Sequence, residues 1–139
     1  MLAALAVLGI LLSIAAPSYH GYVERGRIAR VCGDFSSVAV KAVQFYADHR
    51  RYPDTLAEIG QDSLRDPWGR PYVYLNLTVP ANLNDARKDK NLHPINTDFD
   101  LYSVGPDGKS VKPLTAQPSQ DDLIRARNGA FCGYVRDYN

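Results

Sequence analysis

The residue types that most often catalyse reactions or bind metals do not occur here in a recognisable spacing. The three histidines, His20, His49 and His93, lie far apart, and none belongs to an HExxH motif. The two cysteines, Cys32 and Cys132, form neither a CxxC pair nor half of a four-ligand zinc site. The sequence contains no GxSxG elbow and no phosphate-binding loop. We therefore expect no enzymatic activity.

Acidic residues are the remaining candidates for chemistry. Asp107 lies in a Gly-Pro-Asp-Gly turn, and Asp121 and Asp122 stand together further along the chain. Carboxylates and backbone carbonyls are the ligands that calcium prefers. The same residues are also typical of a tight turn and of the N-terminal cap of a short helix over residues 123–125. The residue types alone leave both interpretations open.

Length and charge restrict the class of protein. The chain has 139 residues, a length typical of one domain. Sixteen Lys and Arg residues against 15 Asp and Glu give a net charge of +1, whereas nucleic-acid-binding proteins usually carry a basic excess on one face. We therefore expect no nucleic-acid partner. Hydrophobic residues make up 45% of the chain, which is typical of a folded protein rather than a disordered one.

The elements that must position these residues begin with an apolar segment. The chain starts with MLAALAVLGILLSIAAPSY, in which no side chain is charged. A membrane-spanning helix needs about 20 mostly apolar residues, with roughly 17 as the lower limit. We therefore predict a transmembrane or filament-core segment over residues 1–23. The alternative is a secretory signal peptide, but the basic region that normally precedes its apolar core is missing here.

An amphipathic helix is predicted directly after this segment. From residue 24 to residue 48 there is no proline, and apolar side chains recur with a period near 3.5. The stripe consists of Ile28, Val31, Cys32, Phe35, Val38, Ala39, Ala42, Phe45 and Tyr46. We expect one long helix, with Pro17, Gly21 and Gly26 as the positions where it would kink.

The amphipathic half and the rest of the chain form a predicted globular head over residues 24–139. A Thr-x-x-Glu capping box at residues 55–58 predicts a short helix that ends at Gly60. Strand-forming residues between turn signals predict strands over residues 72–75, 98–104 and 131–135. Residues 76–97 are polar and predict a long surface loop.

Several segments resemble one protein family. Those near the N-terminus are Gly9-Ile10-Leu11-Leu12, Pro17, Tyr19 and Tyr22, which resemble the first helix of type IV pilins and pseudopilins. Those in the head are Tyr52-Pro53, DPWGRPYVY at 66–74 and FDLYSVGPDG at 99–108, which are similar to the major, G-type pseudopilin of type II secretion. The resemblance covers nearly the whole chain. It implies a pilin-like α+β fold, with a long N-terminal α-helix packed on a small antiparallel β-sheet and a C-terminal loop.

The resemblance implies a structural subunit of a type II secretion pseudopilus, which polymerises through its N-terminal helix and supports the export of folded proteins. The implied partners are further copies in a helical filament, minor pseudopilins, the inner-membrane assembly platform and a prepilin peptidase. The implied location is the bacterial inner membrane, crossed once, with the head in the periplasm. Two alternatives are a type IV pilin or minor pilin of a surface filament and, from another class, a secreted calcium-stabilised binding module.

The beginning of the chain departs from the family pattern. Family members start the mature chain with a Phe-Thr-Leu-Ile-Glu-like run, which follows a basic leader ending in glycine. When Gly9 and Pro17 are aligned with the family, Met1 falls just after that glutamate. We expect the genomic sequence upstream of Met1 to continue in frame with such a leader and run.

The resemblance also implies a calcium ion in the C-terminal loop. Its ligands would be the carboxylates of Asp107, Asp121 and Asp122, together with backbone oxygens near Val104. A shell of six to eight oxygens of these kinds suits calcium. The gap between Asp107 and Asp121 is longer than in the G-type subunits, which is a departure from the family pattern at the backbone contributors.

The two cysteines lie on elements that are predicted to pack together. Cys32 belongs to the apolar stripe of the helix, and Cys132 belongs to the last predicted strand. The periplasm permits disulfide bonds. The alternative is that both are free core cysteines, which are common in folded proteins. We favour a disulfide that joins the helix to the end of the sheet.

Overall fold

The computed structural model describes residues 2–138, with the side chains of residues 14–18 outside the described part. The main elements are α1 (Leu2–His49), β1 (Val73–Asn76), β2 (Phe99–Ser103), β3 (Leu123–Ala126) and β4 (Phe131–Tyr134). Short 3-10 helices follow or join them at Leu56–Ile59, Pro80–Asp85, Gln117–Ser119, Arg127–Gly129 and Val135–Asp137. The predicted α+β arrangement, a long N-terminal helix against a small antiparallel sheet, is confirmed.

Helix α1 is a single element of 48 residues. It continues through Pro17, Gly21 and Gly26, so the helix is not interrupted at the three positions where kinks were predicted. A glycine in a helix costs only about 1 kcal/mol relative to alanine. No other part of the chain lies within 4 Å of the place where a Cβ atom would stand at Gly21 or Gly26, so no close contact requires glycine there.

The sheet is an antiparallel meander in which the four strands follow each other in sequence order. In the register of the sheet, Tyr74 pairs with Leu101, Tyr102 pairs with Ile124, and Ile124 pairs with Gly133. Alternate residues of a strand face opposite sides of a sheet. The arrangement therefore gives the sheet two faces that must each be covered.

One face of the sheet packs against the second half of α1. The buried helix residues are Val31, Phe35, Val38 and Ala42, and the sheet side of the same cluster contains Tyr72, Phe99, Leu101, Leu123 and Tyr134. The helix residues occur at the predicted spacing and are at most 2% exposed. The amphipathic stripe is therefore confirmed as the helical side of the core.

The opposite face is covered by loops. The buried side chains of this second cluster are Ile95, Leu114, Ile124, Ala126 and Val135. One of them, Ile95, comes from the segment that was predicted to be a polar surface loop. The predicted surface loop over residues 76–97 also contains buried Arg87 and Asn96, because these polar groups find partners inside the head.

Two local predictions need correction. Residues 123–125 belong to strand β3 rather than to a capped helix, because Leu123, Ile124 and Arg125 are all buried between β2 and β4. The capping box at residues 55–58 gives only a 3-10 turn, and the Thr55 side chain makes no capping bond. Glu58 instead accepts a hydrogen bond from the backbone N–H of Asp54 at 2.6 Å.

Candidate functional site

The first half of α1 presents large apolar side chains to solvent. They are between 57% and 85% exposed and comprise Leu2, Leu5, Val7, Leu8, Ile10, Leu11 and Leu12. No charged residue occurs before Glu24, so this part of the helix has no polar face of its own. Seven of the large hydrophobic side chains that are exposed in the described part of the chain lie within residues 2–12. A surface of this kind marks a contact site for other molecules.

The membrane span predicted for residues 1–23 is not found. Among the described residues, no helix is apolar enough over a sufficient length to cross a membrane.

Contacts between the helix and the end of the chain begin at Glu24. The Tyr134 hydroxyl donates a 2.6 Å hydrogen bond to Glu24 Oε2, and Arg27 forms an ion pair with the same carboxylate at 3.0 Å. Burial raises the pKa of Tyr134, and the hydrogen bond to Glu24 raises it further, so the phenol remains a donor. About two helical turns beyond Glu24, Cys32 is bonded to Cys132, as favoured from the sequence. The second half of α1 is thus attached to β4 by polar and covalent links.

The structure brings two of the three predicted calcium ligands together. Asp107 and Asp121 are neighbours, since the backbone N–H of Asp107 donates to Asp121 Oδ2 at 3.3 Å. Gly105, next to Val104, has a φ of +66°, and an added Cβ atom there would lie 2.3 Å from the carbonyl oxygen of Asp121. Only glycine fits so close an approach. The turn after Val104 is therefore packed directly on the backbone that carries Asp121.

The third predicted ligand, Asp122, is directed elsewhere. Its Oδ2 atom lies 2.7 Å from Nη2 of Arg87 and accepts a 2.5 Å hydrogen bond from the Ser110 hydroxyl. The side chain is fully buried, and burial raises the pKa of Asp122 to about 6, against the lowering effects of Ser110 and Arg87. Within residues 2–138, no group of three or more His, Cys, Asp or Glu side chains is arranged to hold a metal. The calcium site stays a prediction.

The charged groups that hold this region were not predicted from the sequence. Arg87 lies in the predicted surface loop, and its backbone N–H donates to Asp100 at 2.7 Å while its guanidinium lies over the Tyr102 ring. Arg125, in β3, pairs with Asp98 at 2.7 Å. The partners are 13 to 35 residues apart. No local sequence pattern connects residues that are so far apart along the chain. The pairs could be predicted only if the order of the strands in the sheet were known.

Comparison with known proteins supports a pilin-like relationship. The type II secretion system core protein G of Pseudomonas aeruginosa is 25% identical to this chain over 126 aligned residues, which cover 74% of the chain and 76% of the relative. No protein-family model matches the chain. No solved structure matches it. The similarity is distant, and the long helix packed on a small antiparallel sheet agrees with it.

Proposed function

We propose that this protein is a structural, non-catalytic subunit of a type II secretion pseudopilus and polymerises through its N-terminal helix. The proposal depends above all on the uncovered first half of α1. A helix that is apolar on all sides is stable only when it is buried on all sides. The head lies against the second half of the same helix and leaves residues 2–12 exposed.

Further copies of the same chain are the partners that suit this segment. In water the hydrophobic effect favours removal of the exposed leucine, isoleucine and valine side chains from solvent, at about 25 cal/mol per Å². The full helix would be about 72 Å long at 1.5 Å per residue, so the apolar half extends well beyond the head. A repeated head-to-tail contact that does not close into a ring produces a helical filament.

The proposed location is extracytoplasmic and associated with a membrane. The disulfide between Cys32 and Cys132 supports this location, because such bonds persist in oxidising compartments and are rare in the cytosol. The relative's name places that protein in the core of a secretion system. Export of folded proteins is accordingly the activity that the filament would support.

Site-specific photo-crosslinking tests the proposal. A photo-reactive amino acid would replace Leu8 in the apolar half, or Leu92, which is a comparably apolar and exposed residue of the head. Both variants would be expressed in a bacterium that lacks its own G-type pseudopilin. We expect a ladder of homo-oligomers from position 8 and mainly monomers from position 92, together with restored export of a folded substrate.

Other outcomes would contradict parts of the proposal. Homo-oligomers with surface filaments and without restored export would indicate a type IV pilin. A monomer recovered from the medium would indicate a secreted binding module. Export restored without any crosslinks at position 8 would contradict polymerisation through α1.

A further inference from the structure

Several oxygen atoms of the region that the family resemblance assigns to calcium already have protein partners in this chain, although Oδ1 of Asp122 is buried without one. Asp122 is the clearest case, because its carboxylate forms an ion pair with Arg87, and the two side chains are only 0% and 3% exposed. A guanidinium is always charged and offers five N–H donors. The positively charged guanidinium of Arg87 therefore already lies beside this carboxylate.

A second arginine, Arg70, donates hydrogen bonds to the carbonyl oxygens that follow Val104. Nη1 of Arg70 donates to the carbonyl of Gly105 at 2.6 Å, and Nη2 donates to that of Pro106 at 3.3 Å. An added Cβ atom at Gly108 would lie 3.0 Å from the same guanidinium. The turn thus closes around the Arg70 side chain.

The position of Arg70 is itself fixed by a turn in the head. The Asp66 carboxylate accepts hydrogen bonds from the backbone N–H groups of Trp68 and Arg70, at 3.0 and 2.8 Å. Its other oxygen accepts a 2.6 Å hydrogen bond from the Ser103 hydroxyl. Asp66 therefore attaches the turn that carries Arg70 to the end of β2, next to the loop that Arg70 holds.

The two remaining carboxylates, Asp107 and Asp121, also have basic neighbours. They line an open pocket together with Lys109 and Arg136, so two acidic and two basic side chains share it. Asp107 accepts the backbone N–H of Lys109 at 2.8 Å, and Asp121 accepts that of Asp107. The pocket thus contains as many basic as acidic side chains.

We propose that the guanidinium groups of Arg87 and Arg70 order the C-terminal loop, residues 104–122, in place of a divalent cation. Arg87 holds the end of the loop at Asp122, and Arg70 holds its beginning at Gly105 and Pro106. The loop then keeps its structure whether calcium is present or absent. The inference concerns the head alone and is independent of the proposed function.

Thermal unfolding and hydrogen exchange of the full chain in detergent micelles test this inference. The unaltered chain is measured in millimolar calcium and in excess chelator. We expect the same Tm in both, and the same protection of backbone amides in residues 104–122. A Tm that rises with calcium, or loop protection that chelator removes, would overturn the inference.

Variants test the two arginines directly. Arg87→Met should lower Tm by roughly 10 °C or more in both solutions, because Asp122 is left as an uncompensated buried charge. Lys112→Met is the matched control, since Lys112 lies in the same loop but forms an exposed ion pair with Asp85. The Tm of this variant should differ little from that of the unaltered chain, because exposed ion pairs contribute little to stability. Loop protection that survives in Arg87→Met would contradict the role of Arg87.

Arg70→Met is the second variant, and it tests the inference even if Arg87→Met does not fold. The substitution removes the hydrogen bonds to two carbonyl oxygens and leaves no buried charge without a partner, so the head should still fold. We expect faster hydrogen exchange confined to residues 104–108. Unchanged exchange in this turn would contradict the role of Arg70.

Discussion

The two halves of α1 show how one continuous helix can face two different environments. Leu2–Leu12 side chains are exposed, whereas Val31, Phe35, Val38 and Ala42 are almost completely buried. The second half has one apolar stripe and one polar face, so a single sheet covers it. The first half has apolar side chains all around, and one sheet cannot cover such a surface. Contacts within the chain therefore cover the second half, whereas they leave the first half exposed to solvent.

The largest effect on stability is expected from a charge in the covered half. Val38→Asp should lower the free energy of unfolding of the head by about 4 kcal/mol or more, because Val38 is fully buried and the carboxylate would have no partner. Near-ultraviolet circular dichroism melts would measure it. Leu8→Asp and Ser37→Asp are the controls, and both should melt like the unaltered head. Equal losses at positions 8 and 38 would contradict the comparison.

The disulfide is expected to have the next largest effect. A double variant, Cys32→Ala with Cys132→Ala, opens a loop of 100 residues and should lose roughly 4 kcal/mol of stability in the chain-entropy model. Chemical denaturation would measure the loss. A reducing agent should destabilise the unaltered chain by a similar amount and should leave the double variant unchanged. If reduction has no effect, the covered half is held by packing alone.

A smaller effect is expected where the two halves meet. Tyr134→Phe removes the hydrogen bond to Glu24 and should cost about 1 kcal/mol. Tyr22→Phe is the matched control, because Tyr22 lies on the exposed part of the helix and is 72% exposed. Thermal melts that show equal losses for both tyrosines would move the boundary of the covered half towards the N-terminus.

The smallest effect concerns the chain just after the covered half. Hydrogen bonds from the Arg51 side chain and from the backbone N–H of Asp54 together lower the pKa of Glu58 from 4.5 to about 2. Because the folded-state pKa lies below the unfolded one, this stabilisation is present above pH 4.5 and is lost as the pH falls towards 2. Stability measured against pH should therefore show a slightly shallower loss over this interval in Glu58→Gln. An unchanged pH profile would mean that the exposed pair contributes nothing measurable.

Most of the elements could be predicted from the sequence because their signals are local. Helical periodicity identified the buried residues Val31, Phe35, Val38 and Ala42, and three strands lie within about two residues of their predicted bounds. Strand β3 was missed because Asp121 and Asp122 look like a helix cap and Arg125 interrupts its apolar run. Arg125 is buried in a strand only because Asp98 pairs with it and its guanidinium stacks on Phe99.

The candidate metal ligands show the same difference between features with a local sequence signal and features that depend on distant residues. The Gly105 and Gly108 turn was visible in the sequence, since both glycines adopt the positive φ that such a turn requires. The direction of the Asp122 side chain was not, because it depends on Arg87, which lies 35 residues earlier in a loop that looked exposed.

The order of residues alone specifies where the helix is apolar on one side and where it is apolar on all sides, since this pattern depends on neighbouring residues of the helix. It also determined which two cysteines could join the helix to the sheet. Which charged side chains face each other depends instead on the folded arrangement of the whole head. Ion pairs such as Arg87 with Asp122 form between segments that strand pairing brings together, and the free energy of burying both partners exists only once the sheet and its loops have assembled.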